Sequence, residues 1–72
     1  MKLVKSGYTA SANPNRGYHD SELIIEFEGE PEPEREGARK ALMALHASDM
    51  WCHVVAFTDK QLHIRHGYDS GD

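Results

Sequence analysis

The residues with the most distinctive chemistry are glutamates, six of which occupy every second position from Glu26 to Glu36. Between Glu22 and Glu36 the chain has seven glutamates and one basic residue, Arg35, so this segment has a net charge of −6. The whole chain of 72 residues has a net charge of −4, which leaves the rest close to neutral. The glutamates are Glu22, Glu26, Glu28, Glu30, Glu32, Glu34 and Glu36. Wherever the chain is extended, alternate carboxylates share one face at a spacing of about 6.6–6.8 Å.

Two interpretations of this glutamate row are open. Regularly spaced negative charges resemble a nucleic-acid backbone, so the row predicts an edge that docks into a groove lined by lysine and arginine. Alternatively, the glutamates form a solubilising strand face followed by a helix start, where carboxylates interact favourably with the helix dipole. Repulsion between neighbouring carboxylates lowers stability in the free protein under either interpretation.

Five histidines in a short chain raise the question of a metal site. A two-residue turn at 59–60 would place His53 directly opposite His66, close enough to share a metal ion, so both are candidate ligands. His46 is a third histidine whose position the sequence pattern does not fix. The alternative is a stacked aromatic pair that makes the hairpin pH-sensitive near about pH 6. The predicted cross-strand pairs are Phe57–Leu62, Val55–Ile64, His53–His66 and Trp51–Tyr68.

No arrangement of nucleophile and base predicts catalysis. His19, Asp20 and Ser21 are consecutive, and adjacent residues of an extended chain point to opposite faces, so they cannot form a triad. Cys52 beside His53 fails for the same reason, and a small buried hydrophobe is the simpler interpretation of Cys52. The carboxylates lie in a solvated run without signs of a pocket. We therefore predict a protein that is not an enzyme and that uses no cofactor.

The elements that must position these residues are two hairpins and one helix. Leu23, Ile25 and Phe27 alternate with polar residues, which predicts a strand with one apolar face. From Pro33 to Ala47 apolar residues recur at helical spacing, and proline suits a first helical turn. The helical stripe is Ala38, Ala41, Leu42 and Leu45. Strands are predicted over 3–12, 18–28, 51–58 and 62–66, with turns at 13–17 and 59–60.

These elements predict an α+β fold. It is a small β-β-α-β-β module in which one helix packs on one face of a four-stranded antiparallel sheet. We expect a single domain over residues 1–68 and a flexible tail over 69–72. Either hairpin could supply the centre of the sheet, so the strand order is left open.

Composition narrows the classes of function. The chain has no apolar run of 18 residues and no signal-peptide core, which predicts neither a membrane helix nor secretion. A single cysteine suits the cytoplasm. Basic residues are dispersed, which disfavours direct nucleic-acid binding. Trp51, beside Met50, is predicted to form an exposed apolar patch for a partner or a second copy.

In its size, its acidic row from Glu26 to Glu36 and its β-β-α-β-β layout, the chain resembles small acidic proteins of phages and other mobile elements, including anti-CRISPR inhibitors and DNA mimics. The resemblance implies an inhibitor that occupies the nucleic-acid-binding cleft of a host nuclease complex, such as a CRISPR-Cas complex, in the host cytoplasm. Two other hypotheses remain. One is a homodimeric structural or regulatory module that uses a sheet edge or the Trp51 patch, and the other is a histidine-based metal-binding module.

Overall fold

Four strands and one helix follow one another in the predicted order. The computed structural model describes residues 1–9 and 17–69, except for the side chain of Tyr18. The elements are β1 (Lys2–Tyr8), β2 (Tyr18–Glu26), α1 (Glu32–Leu45), β3 (Trp51–Phe57) and β4 (Gln61–Asp69). The predicted α+β class is confirmed. Most of the predicted turn at 13–17, and residues 70–72 of the predicted tail, lie outside the described residues, whereas Asp69 is the last residue of β4.

The sheet has the strand order β1-β2-β4-β3, and all neighbouring strands are antiparallel. Each hairpin therefore contributes one central strand and one edge strand. Burial explains this order, because β2 and β4 contain Leu23, Leu62 and Ile64, which are buried, whereas every residue of β1 is exposed. The strands with the most apolar surface to bury occupy the centre of the sheet.

The core lies between the sheet and α1. Within the described residues, the buried apolar side chains are Leu23, Phe27, Leu62 and Ile64. Residues packed against them include Ile25, Ala38, Leu42, Met43, Cys52 and Val54. The predicted helical stripe is only partly correct, because Ala41 is exposed, Leu45 is 69% exposed, and the last turn of α1 packs through Met43 instead. Met43 reaches β3, where its Sδ atom lies 3.6 Å from Cys52 Sγ.

The pairing of β3 with β4 departs from the prediction at Val55. Phe57 lies opposite Leu62 as predicted, but a register shift at Val55 inserts one extra residue into β3, as in a β-bulge. A shift of one residue turns every side chain beyond it to the other face of the sheet, which here means residues 51–54 of β3. The predicted pair of His53 and His66 is therefore wrong. The observed partners beyond the shift are Val54–Ile64, His53–Arg65, Cys52–His66 and Trp51–Gly67.

The two faces of the sheet differ in polarity. One face is covered by α1. On the other, which we call the open face, alternation along the strands places a set of charged and polar residues. They are Lys5, Asp20, Glu22, Glu26, His63 and Arg65. No helix within the described ranges is long and apolar enough to cross a membrane.

Candidate binding surface and histidine cluster

The glutamate row is extended only in its first part. β2 ends at Glu26 and α1 begins at Glu32, so the later glutamates lie in a connecting segment and in a helix. Residues two positions apart on a helix point to different sides, so the strand face does not continue into α1. The helix begins here because Pro31 and Pro33 suit its start, and Glu32 and Glu34 interact favourably with its dipole.

Glu22 is paired within the open face. Its carboxylate forms an ion pair with Lys5 on one side, and its Oε2 atom lies 3.1 Å from His63 Nε2 on the other. The hydrogen bonds from Lys5 and His63 hold the pKa of Glu22 below its ordinary value. Glu22 thus joins β1, β2 and β4, and its charge is balanced within the fold.

Glu30 and Glu36 are also paired. The α-amino group of Met1 donates a hydrogen bond to Glu30, and the backbone N–H of Glu28 donates to Glu30 Oε2 at 2.6 Å. These contacts lower the pKa of Glu30 to about 2. Arg39 donates from Nε to Glu36 Oε2 at 3.0 Å, and this pairing holds the pKa of Glu36 below its ordinary value.

The other four glutamates remain exposed, and we call them the carboxylate surface. They are Glu26, Glu28, Glu32 and Glu34. Glu26 has Lys2 as its cross-strand neighbour, and Glu28 Oε1 lies 3.0 Å from the α-amino group of Met1. Glu32 and Glu34 form no ion pair within residues 1–9 and 17–69. The first turn of α1 therefore holds the least compensated charge of the acidic segment.

Trp51 is half-buried rather than the exposed apolar patch that the sequence predicted. Its indole Nε1–H donates to Asp20 Oδ1 at 3.2 Å, and its ring lies so close to Gly67 that a Cβ atom there would be 2.6 Å from Trp51 Cζ2. The register shift causes this placement, because it sets Trp51 opposite a glycine instead of Tyr68. Trp51 therefore packs within the open face.

Asp20 organises the same region, a role that sequence reasoning missed. It accepts hydrogen bonds from Trp51, from Arg65 and from Thr9 Oγ1, the last at 3.3 Å. Burial is the largest single influence and acts to raise the pKa of Asp20, but the hydrogen bonds from Arg65, Trp51 and Thr9 outweigh it and hold the pKa below its ordinary value. These partners come from β3, from β4 and from the residue that follows β1, so local sequence offers no signal for them.

A second group, which we call the histidine cluster, lies at the carboxyl end of α1. It consists of His46, Asp49 and His66, whose ligand atoms all lie within 4.8 Å of one another. His66 Nδ1 is 2.8 Å from Asp49 Oδ2, and His46 Nδ1 is 3.7 Å from the same oxygen. His53, the other predicted ligand, is exposed and lies opposite Arg65, outside this cluster.

Cys52 lies beside the histidine cluster, opposite His66 in the sheet. Burial raises the pKa of its thiol, and the nearby Asp49 carboxylate raises it further. A thiol with a raised pKa stays protonated at neutral pH and is a poor nucleophile. The Cys52 thiol donates instead toward Met43 Sδ at 3.6 Å.

No protein-family model, curated protein or solved structure matches this chain. What the protein binds is therefore inferred from its own charges, contacts and exposed groups.

Proposed function

We propose that this chain is a small acidic protein-binding module that inhibits a host nucleic-acid-binding complex. Its carboxylate surface docks into a basic cleft of that complex and blocks DNA binding, as anti-CRISPR proteins of the DNA-mimic type do. The partner is a protein of the host cytoplasm, such as a CRISPR-Cas or other nuclease complex.

One observation carries the proposal. Four of the seven glutamates in the acidic segment are exposed, and of these only Glu28 forms an ion pair within the described residues, with the α-amino group of Met1. Glu22, Glu30 and Glu36 are less exposed, and each is paired with a cation of the chain itself. The exposed four follow one another from the end of β2 to the first turn of α1, so they belong to one end of the molecule. Exposed charges of one sign steer a partner of the opposite sign and raise the association rate.

The competing explanation assigns Glu32 and Glu34 to helix stability alone. Carboxylates in the first turn of a helix contribute about 0.3–1 kcal/mol each through the helix dipole. That contribution needs no partner, whereas a docking surface predicts that neutralising the same two residues abolishes an interaction. A binding experiment with matched charge variants separates the two explanations.

The test is affinity capture from a bacterial lysate with two double variants. Glu32→Gln/Glu34→Gln neutralises exposed carboxylates, and Glu22→Gln/Glu36→Gln neutralises paired ones, so both variants change the net charge equally. We expect the wild type and the second variant to capture a nucleic-acid-binding protein at about 0.1 M salt, and to lose it at about 0.5 M salt as charges are screened. We expect the first variant to capture none.

Thermal unfolding of both variants shows whether they are folded before the capture is compared. The proposal fails if wild type captures no such protein, or if the Glu32→Gln/Glu34→Gln variant captures the same protein equally well. It also fails if both variants lose capture to the same degree, because net charge alone would then explain the interaction.

A second candidate function is self-association through β1. Every residue of this edge strand is exposed, and Leu3, Val4 and Tyr8 are each more than half exposed. Val4 also lines a groove of about 350 Å³ with Ile24 on the open face. An exposed edge with apolar side chains is a template for pairing with another strand, so a second copy is a natural partner.

A further inference from the structure

We propose that the histidine cluster binds one divalent transition-metal ion, Zn²⁺ in the first instance, through His46, Asp49 and His66. This inference does not depend on the proposed function, because the cluster and the first turn of α1 are at opposite ends of the helix. A helix of 14 residues is about 21 Å long, so the two sites do not share residues or contacts.

Three elements fix the positions of the ligands. His46 caps α1, where its backbone N–H donates to the carbonyl of Leu42 at 3.3 Å. The backbone N–H of Asp49 donates to the carbonyl of His46 at 3.1 Å, so the chain forms a turn. This turn places the Asp49 carboxylate beside the His46 imidazole. His66 projects from the central strand β4 on the face covered by α1, opposite Cys52.

The spacing of the donors suits a small ion. Tetrahedral zinc with Zn–N and Zn–O bonds of about 2.1 Å places its ligand atoms about 3.4 Å apart. The three ligand atoms already lie within 4.8 Å of one another. Asp49 lies in a turn between exposed neighbours, Ser48 and Met50, so its side chain can move inward without disturbing the core. Closing the site requires the stacked imidazoles of His46 and His66 to rotate until their nitrogens point at one ion.

The chemistry of the donors selects the class of metal. Two imidazoles and one carboxylate suit zinc and other first-row transition ions, whereas calcium and magnesium prefer all-oxygen sites. The imidazoles of His46 and His66 stack with their ring centroids 3.7 Å apart, at an interplanar angle of 18°. The side chains are 15–22% exposed, so the site opens to solvent on one side and a water molecule can complete the coordination.

The test is calorimetric titration of the chelator-treated protein with zinc chloride at about pH 7. We expect one ion per chain, and at least a tenfold loss of affinity in each of His46→Asn and His66→Asn. His53→Asn is the matched control, because His53 is exposed and lies outside the cluster; its affinity should stay within about twofold of wild type. Zinc should also raise the unfolding temperature of wild type and His53→Asn, but not of His46→Asn.

Three results would overturn the proposal. The first is no binding up to about 1 mM zinc. The second is that His46→Asn and His66→Asn bind zinc with wild-type affinity. The third is that His53→Asn no longer binds zinc. Since His66 lies against the core and its variant could fail to fold, His46→Asn, at the end of the helix, decides the question if His66→Asn is unfolded without metal. A cluster held by hydrogen bonds alone would give the first result.

Discussion

Asp20 is the residue that connects most of the open face. Its carboxylate accepts hydrogen bonds from Trp51 on β3, from Arg65 on β4 and from Thr9, which follows β1. Thr9 is itself buried, and its backbone N–H donates to the carbonyl of Asp20 at 3.0 Å. One carboxylate on a central strand thus ties both edges of the sheet together at this end of the molecule.

We expect Asp20→Asn to lower the free energy of unfolding at pH 7 by about 1–3 kcal/mol, because the donors around it lose a charged acceptor. The pKa of Asp20 is lowered in the folded state, so its contribution is present above its ordinary value of 3.8 and is lost as the pH falls through the folded pKa. Urea unfolding from pH 7 to pH 3 should show the difference between the two proteins shrinking below about pH 4. A difference that stays constant over that range would contradict this role.

Gly67 is a second residue whose identity the structure explains. A Cβ atom there would clash with the backbone carbonyl of His19 and would lie 2.6 Å from Trp51 Cζ2. We expect Gly67→Ala to destabilise the fold by about 1–3 kcal/mol through overpacking. Gly37→Ala is the control, since a Cβ atom at that helical position meets nothing within 4 Å and should stabilise the fold by about 0.5–1 kcal/mol. Equal effects in thermal unfolding would show that Gly67 is not restricted by space.

At the scale of elements, the hairpins and the helix were predictable because each has its own hydrophobic period. The register of β3 was not. Val54, Val55 and Ala56 are all apolar, so alternation gives no sign of which residue is extra, and the shift at Val55 left no trace in the pattern. The strand order was open because it depends on burial across both hairpins rather than on local sequence.

The sequence predicted the two candidate sites to different degrees, because it shows local spacing but not tertiary contacts. The glutamates were found because their spacing is local, but which of them pair with cations depends on tertiary contacts such as that between Glu22 and Lys5. His66 was predicted as a candidate ligand but with the wrong partner, because the predicted pairing did not include the register shift. His46 and Asp49 reach it through the end of α1, and no local pattern places that turn over β4.

The edge strand β1 gives a prediction at this scale. In a monomer we expect its backbone amides to exchange with solvent faster than those of β2 and β4, because the central strands contain the buried side chains. If β1 pairs with a second copy, its protection should rise with protein concentration while that of β2 and β4 changes little. Hydrogen exchange followed by NMR at low and high concentration measures both. Slow, concentration-independent exchange in β1 would contradict both the exposed edge strand of a monomer and the pairing of β1 with a second copy.

At the scale of the whole molecule, the protein is a flat body of 43 × 22 × 14 Å with its chemical groups at separate ends. The carboxylate surface lies where α1 begins, and the histidine cluster lies where α1 ends. A core of this size supplies only about 3–5 kcal/mol of stability. Repulsion between like charges exposed at one end therefore measurably lowers the stability of the free protein. A basic partner would relieve that repulsion.

The most direct measurement of the central claim is elution from immobilised DNA. Proteins of a bacterial lysate are bound to duplex DNA on a solid support at about 0.1 M salt, and the chain is then applied. We predict that wild type and Glu22→Gln/Glu36→Gln release a specific DNA-binding protein, bound to the chain, whereas Glu32→Gln/Glu34→Gln releases none. Release of nothing by wild type, or equal release by both double variants, would contradict the claim that the exposed carboxylates compete with DNA.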